Sequence, residues 1–354
     1  MSGFTSEVLE QVTPGRPKDV ATVACVTVCH NEAVILPHFL HHYRGIGCNH
    51  FFIVDDHSTD GTFEILSEQS DITLFRPAKN TSYRENLGKW REDILDYYCT
   101  DRWVTLPDLD EFLYYKEMPM KLCDLAQALE DKGERALLSV MIDMYADMPL
   151  DQHHFDGRSA PHEAFPYFDD QGAPPFGIRI MSQPTRFLKR FPTPHVCFMG
   201  GVRDRLFFWR KKPTALQTWF LGSFAHIKRP LNPSLFENLQ NRLTRLVMKN
   251  ALTSAPSVLN KFALLKWPKG AKFARGPHSI DKKVAVSEHL AASLHYKFYK
   301  GREGLSYSVG RGQHAGKSAL SKLILADNCE NGQSPVFEGS KRFEGVKSLS
   351  KLLK

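Results

Sequence analysis

The sequence predicts an α/β protein with a mostly parallel central sheet flanked by helices. Three observations carry this. Short apolar, β-branched runs alternate with helix-periodic segments, the pattern of strands joined by crossover helices. The runs are continuously apolar rather than alternating, as expected of strands buried on both faces. Polar clusters at 30–32, 55–56 and 108–111 follow three of these runs directly, at the strand ends where such sheets bind ligands.

Residues 1–19 carry Pro14, Gly15 and Pro17 and read as a loose lead-in. Residues 21–29 (ATVACVTVC) form the first expected strand, ending at His30-Asn31-Glu32. Leu36, Phe39, Leu40 and Tyr43 recur at helical spacing within 33–46, and Gly45 and Gly47 close that helix. A second strand, 50–54, ends in Asp55-Asp56 and is followed by a short helix, 63–68. Residues 72–75 read as a third strand, 86–98 as a helix and 103–106 as a fourth strand. A helix over 121–132 and a strand over 136–144 follow. Residues 147–186 are rich in Pro, Gly, His and Asp and lack periodicity, so long loops are expected over the site. Gly200-Gly201 and the aromatic run to Phe208 suggest a turn and a strand. Residues 235–252 read as an amphipathic helix with basic residues on its open face, and 287–300 as a strand carrying His295. Beyond Gly301 the composition turns to Gly, Ser and Lys, and 340–354 looks like a frayed basic tail. The expected organisation is therefore a lead-in (1–19), one domain (20–300) and a partly disordered basic tail (301–354). That domain divides into a nucleotide-binding half, 20–115, and an acceptor half, 116–300, which is loop-rich and continues into a helical C-terminal extension.

At 354 residues, 42% hydrophobic and 24% charged, the chain can bury a sizeable core. Its net charge of +7 is uneven, with Lys and Arg concentrated after about residue 239. Such a basic part suits an anionic partner: a nucleotide, an acidic glycan or anionic lipid headgroups. The seven cysteines form no Cys-x-x-Cys pair, which argues against a zinc ribbon or a disulfide framework. The N-terminus has no signal-like apolar stretch and no apolar run is long enough to span a bilayer. The expectation is a cytoplasmic protein, with any membrane contact peripheral and at the inner face.

The chemistry centres on Asp108, Asp110 and Glu111. In an extended segment residues i and i+2 point the same way, so Asp108 and Asp110 can aim at one point while Leu109 turns to the core. Two hard oxygen ligands at a strand end suit Mg²⁺ or Mn²⁺ holding a phosphate. A solvated acidic turn is the competing reading. His41-His42 and His153-His154 have no third ligand at a metal-site spacing and are expected to be solvated. The Lys-Arg clusters at 210–212, 228–229 and 341–342 accompany no nucleic-acid-binding motif.

The runs Val26-Thr-Val-Cys-His-Asn-Glu32, Phe52-Ile-Val-Asp-Asp-His-Ser-Thr-Asp-Gly-Thr62 and Trp103-Val-Thr-Leu-Pro-Asp-Leu-Asp-Glu-Phe112 resemble the glycosyltransferase family 2 superfamily of GT-A fold, in the branch with an Asp-x-Asp-Glu-Phe motif. The resemblance continues more weakly through Asp143-Met-Tyr145, Gly200-Gly-Val-Arg-Asp204 and Leu294-His-Tyr-Lys297. It implies metal-dependent transfer of a sugar from a nucleotide-sugar donor to a hydroxyl of a glycan or lipid-linked acceptor. It places Asn31 and Glu32 in the nucleotide pocket, and Asp55 or Asp56 on the base or ribose. Asp108 and Asp110 fall on the metal and diphosphate, and His295 on the metal. An inverting relative also needs a base. Asp204 is the first candidate, or else a structural Asp paired with its neighbouring arginines, and Glu288 and Asp281 are outsiders. Pro107 departs from the pattern and should end its strand early. A nucleotidyltransferase on a similar sheet, or a non-catalytic nucleotide- or glycan-binding protein, are the alternatives. His30-Asn31-Glu32 stands where a nucleotidyltransferase would carry a Gly-rich basic loop, and no dehydrogenase fingerprint follows the first strand.

Overall fold

A computed structural model describes residues 3–14, 23–169, 177–208, 214–221, 234–251, 258–274, 276–310 and 333–353. Cys329 and the basic clusters 210–212 and 228–229 lie outside these. The chain divides into two compact units, one of residues 1–139, 189–194 and 261–293, the other of 140–188, 195–260 and 294–354.

The first unit is a mixed α/β layer. Its sheet is built from β1 (Leu9–Gln11), β2 (Val23–Cys29), β3 (His50–Asp55), β4 (Ile72–Pro77), β5 (Trp103–Thr105) and β6 (Glu111–Tyr114). It also takes in β11 (Asn260–Lys266) and the leading parts of β7 (Ala136–Asp143) and β12 (Val286–His295). The strand order is β1-β4-β3-β2-β5-β11-β7-β12-β6. The four strands β4, β3, β2 and β5 pair in parallel, and β1 and β11 join them antiparallel. Helices α1 (Leu36–Gly45), α2 (Thr62–Ser67), α3 (Tyr83–Tyr98) and α4 (Leu122–Asp131) connect them. β3 is buried along its whole length, and β2 at all but one residue, as continuous apolar runs require. The expected helix around 33–46 starts at Leu36 with a proline in its first turn, where the missing N–H costs nothing. β5 stops at Thr105, before Pro107, because proline cannot donate to the ladder.

The second unit contains β8 (Tyr167–Asp169), β9 (Arg179–Ser182), β10 (Val196–Met199) and β13 (Ser340–Arg342), with α5 (Pro161–Ala164), α6 (Thr185–Leu188), α7 (Ala215–Trp219), α8 (Leu235–Ala251) and α9 (Gly301–Gly310). β9 and β10 pair antiparallel, as do β8 and β13. One core gathers Tyr145, Leu150, Val202, Phe298 and Leu305, and a second gathers Met181, Cys197, Met199 and Leu221.

Several sequence expectations are corrected here. Residues 147–186 are not all loop, since they hold β8, β9 and two short helices. The aromatic strand expected before Phe208 is instead a π-type turn, Asp204–Phe208, because an apolar run this short carries no distinguishing period. The end of the chain is not frayed. Ser340–Arg342 pairs with β8, and Leu349, Leu352 and Leu353 are buried. The helix over 235–252 is present as Leu235–Ala251, and its open face carries apolar residues as well as Arg242: Leu235 is 91% exposed and Phe236 60%. His153 is not solvated but 2% exposed, and burial pushes its imidazole down to about 4. The six cysteines among the described residues are free thiols. No helix among the described residues is long and apolar enough to cross a membrane.

Gly301 opens α9 with φ of 49°, and a Cβ there would meet the carbonyl oxygens of His153 and Asp151 at 2.2 and 2.7 Å. Neither oxygen can step aside without moving backbone. Gly301→Ala should therefore cost about 2–4 kcal/mol, from strain and overpacking together. The shift in the urea midpoint measures it, and an unchanged midpoint would refute the close approach.

Candidate functional site

Register places the polar clusters on one edge of the first unit's sheet. Cys29 pairs with Asp55, and Cys25 with Thr105, so the chain after Thr105 emerges beside the ends of β2 and β3. Asn31, at a φ of 55°, closes β2 in a left-handed turn that asparagine tolerates. Its Oδ1 accepts the Thr59 N–H at 2.7 Å, and its own N–H donates to Ser58 Oγ at 2.9 Å. The Glu32 N–H donates to Thr62 Oγ1 at 2.8 Å. Asp55 is fully buried, and its Oδ2 accepts the Ser58 N–H at 3.2 Å. The Asp56 N–H continues the ladder to the Cys29 carbonyl at 2.9 Å. Asn31 and Asp55 thus hold the 55–62 loop against the end of β2.

The acidic segment after β5 is held by two buried cations. Arg91, on α3, donates from Nη2 to Asp108 Oδ1 at 2.6 Å. Lys261, on β11, donates from Nζ to Asp108 Oδ2 at 2.7 Å and to Glu111 Oε2 at 2.6 Å. Glu111 also accepts the Asp108 N–H at 3.1 Å, closing the turn. The Lys261 and Glu111 side chains are 2% and 1% exposed, that of Asp108 42%. Partial burial works to raise the Asp108 carboxyl, but Lys261 and Arg91 outweigh it and hold the group well below the usual carboxylate range. Burial opposes the charge on Lys261, and Asp108 and Glu111 overcome it, so its ammonium is held charged more firmly than in water. Asp108 and Glu111 are thereby matched by Arg91 and Lys261, and Asp110 is the third carboxylate. Asp110 and Glu111 offer oxygens within 4.8 Å of one another, near enough for one ion.

In the second unit, β7 ends at Asp143, which accepts from Arg203 Nε at 2.6 Å and lies 2.7 Å from His295 Nδ1. Burial works to raise Asp143, yet Arg203 and His295 bring it down to about 2. Asp204 is 2% exposed. Its flanking arginines are engaged elsewhere, Arg203 with Asp143 and Arg205 with Asp169 through two bonds of 2.9 and 3.1 Å. Glu288 is exposed, and Asp281 accepts the Lys272 N–H at 2.8 Å, a turn contact. Sequence reasoning missed Lys261, Arg91 and Asp143 as parts of these networks. A basic residue inside an apolar run, as in Asn260–Lys266, is the signal that could have found Lys261.

No protein-family model matches the chain, and no curated protein sequence does. Among solved structures it is similar to a protein assigned as a glucose-1-phosphate thymidylyltransferase from Bacillus anthracis, at 9% identity and a TM-score of 0.26, over 68% of this chain and 90% of that one. It is also similar to a UDP-glucose pyrophosphorylase complexed with UDP-glucose, at 11% identity and a TM-score of 0.24, over 68% of this chain and 92% of that one. A 4-diphosphocytidyl-2C-methyl-D-erythritol synthase follows at 14% identity and a TM-score of 0.23, over 39% of this chain and 65% of that one. Scores this low carry no argument about activity.

Lys261→Met should destabilise the protein by about 3–5 kcal/mol, because it strands the buried Glu111 carboxylate. Denaturant unfolding of the variant checks this, and a loss below about 1 kcal/mol would contradict the network. Asp143 adds a pH test. Its folded pKa lies below the usual 3.9 or so, so its stabilisation is full above about pH 4 and fades as pH falls toward 2. The stability gap between wild type and Asp143→Asn should therefore shrink by about 2 kcal/mol between pH 5 and pH 2.5. A gap independent of pH would show that Asp143 is not held down by its partners.

Proposed function

We propose that the protein transfers a sugar from a nucleoside-diphosphate donor to a hydroxyl of a glycan or lipid-linked acceptor. The single observation that carries this reading is the Asp108–Glu111 segment, three carboxylates at a strand end with two of them fixed by buried Arg91 and Lys261. A merely solvated acidic turn needs no buried cations behind it. The resemblance of its motif to the Asp-x-Asp-Glu-Phe branch of family 2 glycosyltransferases supports the same conclusion.

The donor set fits Mn²⁺ or Mg²⁺, since hard carboxylate oxygens are what such ions prefer. Asp110 is assigned as the main ligand, with Glu111 beside it. Asp108, held between Arg91 and Lys261, orders the turn and meets the ion or the diphosphate. The resemblance assigns His295, in the second unit, to a metal. With Nδ1 turned to Asp143, its ligand atom would be Nε2, the carboxylate–imidazole arrangement common in metal-bound histidines. Bound at Asp110 and Glu111, the ion would offset the charge that grows on the leaving diphosphate. Glu32 and Asp56, at the ends of β2 and β3, are assigned to the nucleoside, while Asn31 and Asp55 hold the loop that shapes its pocket. The acceptor hydroxyl needs a base. Asp204 serves only if the Asp204–Phe208 turn opens, because a carboxylate so buried cannot reach a substrate otherwise.

A thermal-shift screen of nucleotide sugars, with and without Mn²⁺, should yield a donor that raises the melting temperature by mass action. That donor should then release nucleoside diphosphate in the presence of an acceptor. Production of pyrophosphate from a nucleoside triphosphate and a sugar phosphate would instead make the protein a nucleotidyltransferase. Binding without turnover would make it a carrier. Asp110→Asn should lower turnover by about 100-fold or more with an unchanged circular dichroism spectrum, a loss typical of removing one transition-state electrostatic contact. EDTA should abolish activity and Mn²⁺ restore it, and full activity in EDTA would leave the carboxylates as direct donor contacts.

A further inference from the structure

The second unit carries an inverted helix. α8 turns Glu237, Gln240, Asn241 and Thr244 inward, each buried, and exposes Leu235, Phe236, Leu239, Leu243 and Leu246. At 3.6 residues per turn those five apolar residues share one stripe roughly 100° wide. The polar face is the anchored one. Asn241 Oδ1 accepts the Ser182 N–H at 3.1 Å, Asn241 Nδ2 donates to Ser182 Oγ at 2.9 Å, and Arg245 donates to the Ser182 carbonyl. The outward direction of the leucines is therefore set by specific bonds to β9. α7 adds Leu216 at 72% and Trp219 at 59% exposed. Phe220 and Val247, from α7's end and from α8, pack against the same small core of Met181, Cys197, Met199 and Leu221. The two exposed apolar sets thus belong to one local structure.

Charge identifies the partner. Between residues 206 and 260 the sequence has eight Lys and Arg and one acid, Glu237. That acid is withdrawn into a capping box, where its Oε2 accepts the Ser234 N–H at 2.7 Å. Arg242 is exposed beside the leucine stripe. Leucine, phenylalanine and tryptophan on one side, with Arg242 beside them, a basic surrounding sequence and no outward acid among the described residues of 206–260, is the chemistry of a helix lying in the interface of an anionic bilayer. We propose that the outward face of α8, with Leu216 and Trp219 of α7, docks on a membrane surface bearing anionic lipid headgroups. This goes beyond sugar transfer and does not depend on it.

The test is flotation of the full-length chain with vesicles of phosphatidylcholine alone, or with about a third phosphatidylglycerol. Binding should favour the anionic vesicles by 10-fold or more and weaken with salt. The double variant Leu239→Glu, Leu243→Glu should lose it, with circular dichroism unchanged. A second readout uses Trp219, whose fluorescence should shift to the blue on anionic vesicles, a shift that Trp219→Phe removes. Failure of the wild-type chain to float with anionic vesicles would overturn the proposal. So would light scattering that shows a dimer broken by Leu239→Glu, since the face would then be covered by a second copy.

Discussion

The structure of the candidate site depends on the ammonium of Lys261, placed between Asp108 and Glu111. A carboxylate as buried as Glu111 is tolerable only with an opposite charge at hydrogen-bond distance. The pairing fixes more than charge. Lys261 comes from β11, Arg91 from α3, Asp108 from the turn after β5 and Glu111 from the start of β6. β11, far along the chain, is therefore tied to α3 and to the segment after β5 at one point, and the turn cannot drift without unpairing a buried charge.

The neutral sum of this network shapes what the site can attract. Asp108 and Glu111 are balanced by Arg91 and Lys261, and Asp110 is the third carboxylate of the motif. A site with three unmatched carboxylates would repel a diphosphate strongly. With two of the three balanced by buried cations, the motif can take a divalent ion and then present positive charge to phosphate oxygens. The Asp143 group applies the same logic in the second unit. Arg203 keeps Asp143 ionised, and the ionised Asp143 fixes the orientation of the His295 ring.

α8 shows a different balance. Helices normally bury their apolar stripe, because that burial provides most of their stability. Here the buried face is polar and held by hydrogen bonds to β9, with Glu237 and Ser234 capping the start. The bonds of Asn241 and Arg245 to Ser182 hold the helix in place, and Val247 adds an apolar contact to the core beneath. The leucines are then left for another environment.

The sequence by itself determined the parallel strands β2 to β5, the helices between them and the polar clusters at their ends. Continuous apolar runs and glycine-marked helix ends are local signals, and they locate these elements to within a few residues. It also singled out Asp108 and Asp110. The tertiary structure decided the rest. β11 offers an apolar run of only four residues, Phe262–Leu265, between two lysines, and only the fold supplies the carboxylates that make Lys261 tolerable inside. β1, β8 and β13 are three-residue strands whose pairing depends on distant partners, beyond the reach of any local pattern. Periodicity revealed that α8 has two faces but not which one points inward, since that depends on the hydrogen-bonding groups of β9. Asp204 looked like a carboxylate shared between two arginines. Arg203 and Arg205 instead pair with Asp143 and Asp169, because adjacency along the chain does not make side chains neighbours in space.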